Sequence, residues 1–180
     1  MRKILYYLRN PFRELASVRS LVLCSLLMAL AVVTSFFNIY ITVALKISFS
    51  FLFIAIISMK YGPVIAGICS GIVDLLQFIV RPVGPYQPLL TLTAVLLGII
   101  YGLFLYKNHD SIWRIVLSHL VVIALVSTLL NSYFVAILYG KVFTEFLVAR
   151  LIKNAILFPV EVTLLIAIIN IYNRVEKKIK

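Results

Sequence analysis

Between Val148 and Leu165 an apolar run is interrupted by Arg150, Lys153, Asn154, Pro159 and Glu161. Helical residues advance by about 100° each, so Arg150, Asn154, Leu157 and Glu161 fall on one narrow stripe, with Lys153 about 60° off it. Glu161 then lies about 16 Å further along the helix axis than Arg150. A second run carries Asp74 and Gln77, neighbours at i, i+3, and closes with Arg81 about 10 Å beyond Asp74. Tyr86 and Gln87 follow Arg81 in the next loop, and Lys46 precedes the run. Each of two helices thus offers cations at one end and a carboxylate deeper in. Guanidinium and ammonium groups hold carboxylate-like anions, and a carboxylate accepts paired N–H donors. One reading is a pocket for a ligand with an anionic tail and a hydrogen-bonding head. The other is structural: Asp74 and Glu161 pair with Arg150 or Lys153 and tie the helices together.

The elements that carry these groups are membrane helices. The chain of 180 residues is 63% hydrophobic and 13% charged, with a mean hydropathy of +1.12, and a soluble domain of this size needs far more polar surface. Apolar runs occupy about 20–37, 47–59, 64–80, 89–106, 112–138 and 145–172. A bilayer core takes roughly 20 helical residues, so the second run is short and is expected to tilt, re-enter or extend back through "VALK". Continuous runs such as "LVLCSLLMALAVV" lack the alternation of a β-barrel. The expected fold is an all-α membrane protein, a six-transmembrane-helix bundle in one domain spanning 1–180. It comprises an N-terminal segment 1–19, a bundle over about 20–172 and a basic tail 173–180. An ionised side chain at mid-bilayer costs at least ~2.5–3.5 kcal/mol, which is why the polar stripes must face the bundle interior or a water-filled cavity.

Most of the basic residues behind the net charge of +11 cluster outside the apolar runs, so the charge reads as topology and headgroup contact rather than nucleic-acid binding. With both termini on one side, that side collects Arg2, Lys3, Arg9, Arg13, Arg19, Lys60, Lys107, Arg114, Arg174, Lys177, Lys178 and Lys180. The other side collects Lys46, Arg81 and Lys141, with Arg150 and Lys153 near a helix start. The first group is expected to be cytoplasmic. Residues 1–19 mix apolar and basic residues and suit either an interfacial segment or a basic tail; the first apolar run is expected to stay as an uncleaved span.

Other positions are open to two readings. Ser25 and Ala29, small residues four apart, form a smooth helix face for close approach, either inside the bundle or against another protein. Gly67 and Gly71 repeat the spacing and are expected to pack internally. His119 is expected to donate to a carbonyl of a neighbouring helix rather than to relay protons. Asn131 and Ser132 are candidates for the pocket wall, Tyr86, Tyr133 and Tyr139 for stacking on a flat ligand, and Thr91 and Thr93 for packing. Cys24 and Cys69 lie inside apolar runs in no metal-ligand spacing. There is no P-loop, no H-E-x-x-H, no channel filter sequence and no evident internal repeat, so the chain binds something but carries no visible energy source.

"LKISFSFLFIAIISMKYGPVIAGICSGIVDLLQFIVRP", "LTAVLLGIIYGLFLYK" and "VARLIKNAILFPVEV" resemble the substrate-binding (S) components of energy-coupling factor (ECF) vitamin transporters. The arrangement at 150–161 resembles the folate-specific branch. The resemblance implies a non-enzymatic membrane subunit with no cofactor and no metal, in a prokaryotic plasma membrane with both termini cytoplasmic. It would bind folate from outside and dock on a transmembrane coupling protein that carries two ABC-type ATPases. It also implies that Ser25 and Ala29 take the positions of an A-x-x-x-A face turned to that coupling protein. On this reading Asp74 or Glu161 meets the N–H edge of the pterin ring. Arg150, Lys153, Arg81 or Lys46 meets the glutamate tail, with Asn154, Gln77, Tyr86 and Gln87 nearby. An S component for riboflavin or thiamine is the near alternative, and a lipid-modifying membrane enzyme or a ligand-free assembly subunit the distant ones.

Overall fold

A computed structural model describes residues 17–42, 45–82, 86–106, 111–140 and 143–179. The expectations for most of the N-terminal segment fall outside the described residues. Helix α1 covers Val18–Val33 and continues through a 3-10 turn, Thr34–Phe37. Ser17 caps it, its Oγ accepting from the Ser20 amide at 3.1 Å, which satisfies one of the donors a helix start leaves open. An antiparallel hairpin of β1 (Ile39–Thr42) and β2 (Leu45–Ile47) follows, with Ile39 opposite Ile47. This short hairpin is an addition to an otherwise all-helical fold, and it corrects the idea that "VALK" lengthens the second span, because Leu45 and Lys46 belong to a strand. The remaining helices are α2 (Ser50–Val80), α3 (Pro88–Leu105), α4 (Ile112–Val121), α5 (Asn131–Tyr139) and α6 (Phe143–Ile179). A π-helical stretch, Val122–Leu130, joins α4 to α5. Among the described residues, five helices are long and apolar enough to cross a membrane.

Helix α2 is broken at Gly62, whose φ of 84° and ψ of −179° lie where a side chain is not tolerated. Pro63 opens the second arm, where its missing N–H is not needed. Ser58 and Ala66, four residues either side of the break, both meet Gly98: Ser58 Oγ donates to the Gly98 carbonyl at 3.3 Å, and a Cβ on Gly98 would sit 2.4 Å from the Ala66 oxygen. The two arms therefore run side by side rather than in line. The predicted second and third runs are these two arms.

Rungs along α1 set the direction of the second arm. Tyr61 Oη donates to the Ser20 carbonyl at 2.9 Å, the Cys24 and Cys69 sulfurs are 3.5 Å apart, and Gln77 Nε2 donates to the Ala31 carbonyl at 2.8 Å. Arg81 Nη1 reaches the Ser35 and Phe36 carbonyls at 3.2 Å. Both helices climb in the same sense. Helix α3 descends against the second arm, with Thr91 level with Asp74, Val95 with Gly71, and Gly102 with Pro63. A Cβ on Gly102 would lie 2.3 Å from the Pro63 Cα, so Gly98 and Gly102 let two backbones touch, the geometry small residues four apart allow in lipid. Gly67 and Gly71 are buried as expected, facing Ile99 and Val95.

Two apolar clusters fill the bundle around the break in α2 and above it. One joins Leu27, Ile57, Ile65 and Val73; the other joins Met59, Leu105, Ile115, Leu165 and Ile169. Lys60, beside the break, lies 5.7 Å from the Tyr61 ring and 6.0 Å from the Tyr172 ring. The break in α2, the start of α1 and the end of α6 thus share one end of the bundle.

Candidate ligand cavity

The other end of the bundle encloses a cavity of about 320 Å³. Its wall takes Asp74, Gln77 and Arg81 from the second arm of α2, and Arg150, Lys153, Asn154 and Glu161 from α6. Tyr86 and Gln87 line it from the loop before α3. Lys46 lies on β2 opposite Tyr40; its side chain is outside the description. Asn131 lines the cavity, whereas Ser132 is buried elsewhere, and Tyr133 is exposed and stacks near Phe134 and Phe143.

The carboxylates do not hold the basic groups. Asp74 Oδ2 accepts from Thr91 Oγ1 at 2.9 Å, and Glu161 Oε2 faces His119 Nε2 at 3.1 Å. Among the described residues neither acid bonds to Arg150 or Lys153. Arg150, only 8% exposed, donates from Nη1 to the Ser127 carbonyl at 3.1 Å. Asn154 donates to Thr128 Oγ1 at 2.9 Å and to Ser127 Oγ at 3.3 Å. Arg150 and Asn154 therefore lean on the π-helical stretch, whose wider turn presents Val122, Ile123, Val126 and Ser127 to the cavity. Such stretches concentrate at functional sites, and nothing in "VIALVSTLL" announces one.

Two buried polar atoms on the α1 side of the cavity, Ser35 Oγ and Asn38 Oδ1, have no hydrogen-bond partner among the described residues. Buried polar groups are almost always paired, so these are what a wall built for a ligand or ordered water presents.

Two expectations are corrected. Thr91 and Thr93 do more than pack: Thr91 links Asp74 to Tyr86, whose hydroxyl is 3.1 Å away, and Thr93 donates to Asn131 Oδ1 at 2.8 Å. Among the described residues His119 bonds no backbone carbonyl; its ring lies between Tyr101 Oη, 2.7 Å from Nδ1, and Glu161. Tyr101, fully buried, was not singled out by the sequence because its partner is 18 residues away. Ser25 and Ala29 are exposed on the outer face of α1, which excludes packing inside the bundle.

The chain matches the family described as "ECF transporter, substrate-specific component" over residues 19–170. It belongs to that family. A curated relative, the folate transporter FolT of Clostridium novyi (strain NT), is 34% identical over 145 residues, 81% of this chain and 84% of the relative. The folate transporter FolT of Leuconostoc mesenteroides is 31% identical over 170 residues, 89% of this chain and 91% of the relative. A crystal structure of FolT bound with folic acid superposes with a TM-score of 0.76 at 37% identity, covering 83% of this chain and 91% of the other. The S component is thus a transporter subunit rather than an enzyme, and its cavity is the part of it suited to hold a substrate.

Proposed function

We propose that this S component binds folate in the cavity from the outer side of the plasma membrane and hands it to a coupling protein driven by two ABC-type ATPases. The observation that carries the reading is the grouping of both charges in one cavity: Arg81 at the end of α2 and Arg150 and Lys153 early in α6, with Asp74 and Glu161 further into the same two helices. Folate complements both. Its glutamate tail carries two carboxylates for the cations, and its pterin ring offers adjacent N–H donors to a carboxylate. Relatives over most of the chain are named folate transporters, and the folic-acid-bound structure shares the fold.

The two arms of α2 count as separate crossings on this reading, giving six passages and both termini on the cytoplasmic side. The side-by-side arms, and the gathering of Arg19, Lys60 and Arg174 at the end opposite the cavity, support it. The exposed Ser25 and Ala29 suit docking on the coupling protein.

Calorimetry on the purified chain in detergent, with folate, riboflavin and thiamine compared, tests the assignment. Folate is expected to bind and the other two not to. Binding of riboflavin or thiamine in preference to folate overturns the reading.

A further inference from the structure

The cavity wall holds a three-residue chain of which the reading above uses only Glu161. Tyr101 Oη lies 2.7 Å from His119 Nδ1, and His119 Nε2 lies 3.1 Å from Glu161 Oε2. Tyr101 and His119 are 0% and 2% exposed, while Glu161 borders the cavity. The imidazole packs against two rings: Phe51 stands 5.2 Å away at 32°, and Phe158 5.8 Å away at 23°. An ionised carboxylate only accepts, so Nε2 must carry the hydrogen. A neutral ring then accepts at Nδ1, and the Tyr101 hydroxyl donates to it. Every member points its hydrogen toward Glu161. One oxygen of the carboxylate is held and the other, Oε1, has no partner among the described residues.

We infer that Tyr101 and His119 are positioning residues that aim Glu161 Oε1 at the N–H edge of the ligand's ring, so that these three side chains set which heterocycle the S component accepts. The inference rests on the folate reading and selects Glu161 over Asp74 for the ring. Arg150 stands eleven residues earlier on α6, about 16 Å away along its axis, which leaves the length of an extended ligand between tail and ring. Phe51, beside His119, also lines the cavity and offers a flat apolar wall of the kind a heterocycle packs on. Asp74 instead faces Thr91 and Tyr86 near the loop before α3.

The test is ligand discrimination rather than affinity alone. Folate and its 2-desamino analogue, which lacks one ring donor, are titrated against the wild-type chain, Glu161→Gln, His119→Phe, His119→Gln and Tyr101→Phe. The wild type is expected to prefer folate by roughly tenfold, the scale of one hydrogen bond to a buried charge. In Glu161→Gln the amide oxygen stays with His119, so an amide N–H faces the ring donors and the preference disappears. His119→Phe keeps the stack, loses both hydrogen bonds, and is expected to lose the preference too. His119→Gln retains a donor at the position of Nε2 and is expected to restore it to within about twofold. Tyr101→Phe, which removes one oxygen, keeps the question answerable if the His119 variants do not fold, and is expected to lower the preference. A wild type with no preference, or variants that weaken both ligands equally and keep the ratio, overturns the inference. Absence of folate binding by the wild type instead overturns the folate reading.

Discussion

Arg150 and Glu161 occupy one face of α6 and one cavity wall, yet they do not bond each other. Arg150 is drawn to the Ser127 carbonyl and Glu161 to His119, each 3.1 Å away. Opposite charges about three turns apart on one helix cannot meet without bending it. Each is braced from another helix instead, and both line one cavity.

Removal of the guanidinium is therefore expected to act on binding. Arg150→Ala should weaken folate by ~2–5 kcal/mol, the usual consequence of deleting one partner of a desolvated charge pair. Arg150→Lys should recover only part, since an ammonium cannot make the two-pronged contact with a carboxylate. Calorimetry on both variants measures this.

Asn154 is expected to act on stability as well as on the site. Asn154→Leu leaves Thr128 Oγ1 and Ser127 Oγ without their donor. Loss of about 1–3 kcal/mol of stability should follow, read as a lower midpoint of thermal unfolding in detergent without ligand.

The contact of α3 with the break in α2 has no room to adjust. Gly102→Ala drives a methyl group into the Pro63 backbone, whose Cα is 2.3 Å from the new Cβ. The expected loss is about 1–3 kcal/mol or more, because backbone cannot rotate away as a side chain can. Gly140→Ala serves as the comparison: nothing lies within 4 Å of its Cβ, but its φ is 61°, so only about 1–2 kcal/mol of backbone strain is at stake. Thermal unfolding of the two variants ranks them.

The outer face of α1 should separate binding from transport. Ala29→Trp places a bulky ring on an exposed surface away from the cavity. Folate affinity of the isolated chain should be unchanged, while uptake by cells carrying the complete transporter should fall. A loss of folate affinity would argue that this face is not a docking surface.

Much of the site was legible because its residues are periodic within single helices. Arg150, Asn154 and Glu161 repeat on one stripe, as do Asp74, Gln77 and Arg81, and such groups in an apolar run cannot face lipid. Lys46 was chosen for its charge alone, and its side chain lies outside the described residues. Thr91, Thr93, Tyr101 and His119 were misread or passed over because each acquires its role from a partner on another helix. His119 meets Glu161 across 42 residues, and a small hydroxyl or lone imidazole in an apolar run carries no local mark of that.

The sequence by itself determined the solvent, the apolar runs and the turn at "KYGP", because hydropathy, Gly and Pro act over a few residues. Only the tertiary structure decided that the arms of α2 lie side by side, that the chain from α4 to α5 widens into a π-helix, and that the acids turn to Thr91 and His119 rather than to Arg150. These outcomes depend on which helix faces which across tens of residues. The contact of Gly98 and Gly102 with Ala66 and Pro63 is one of them, since the spacing of the two glycines does not say which backbone they meet.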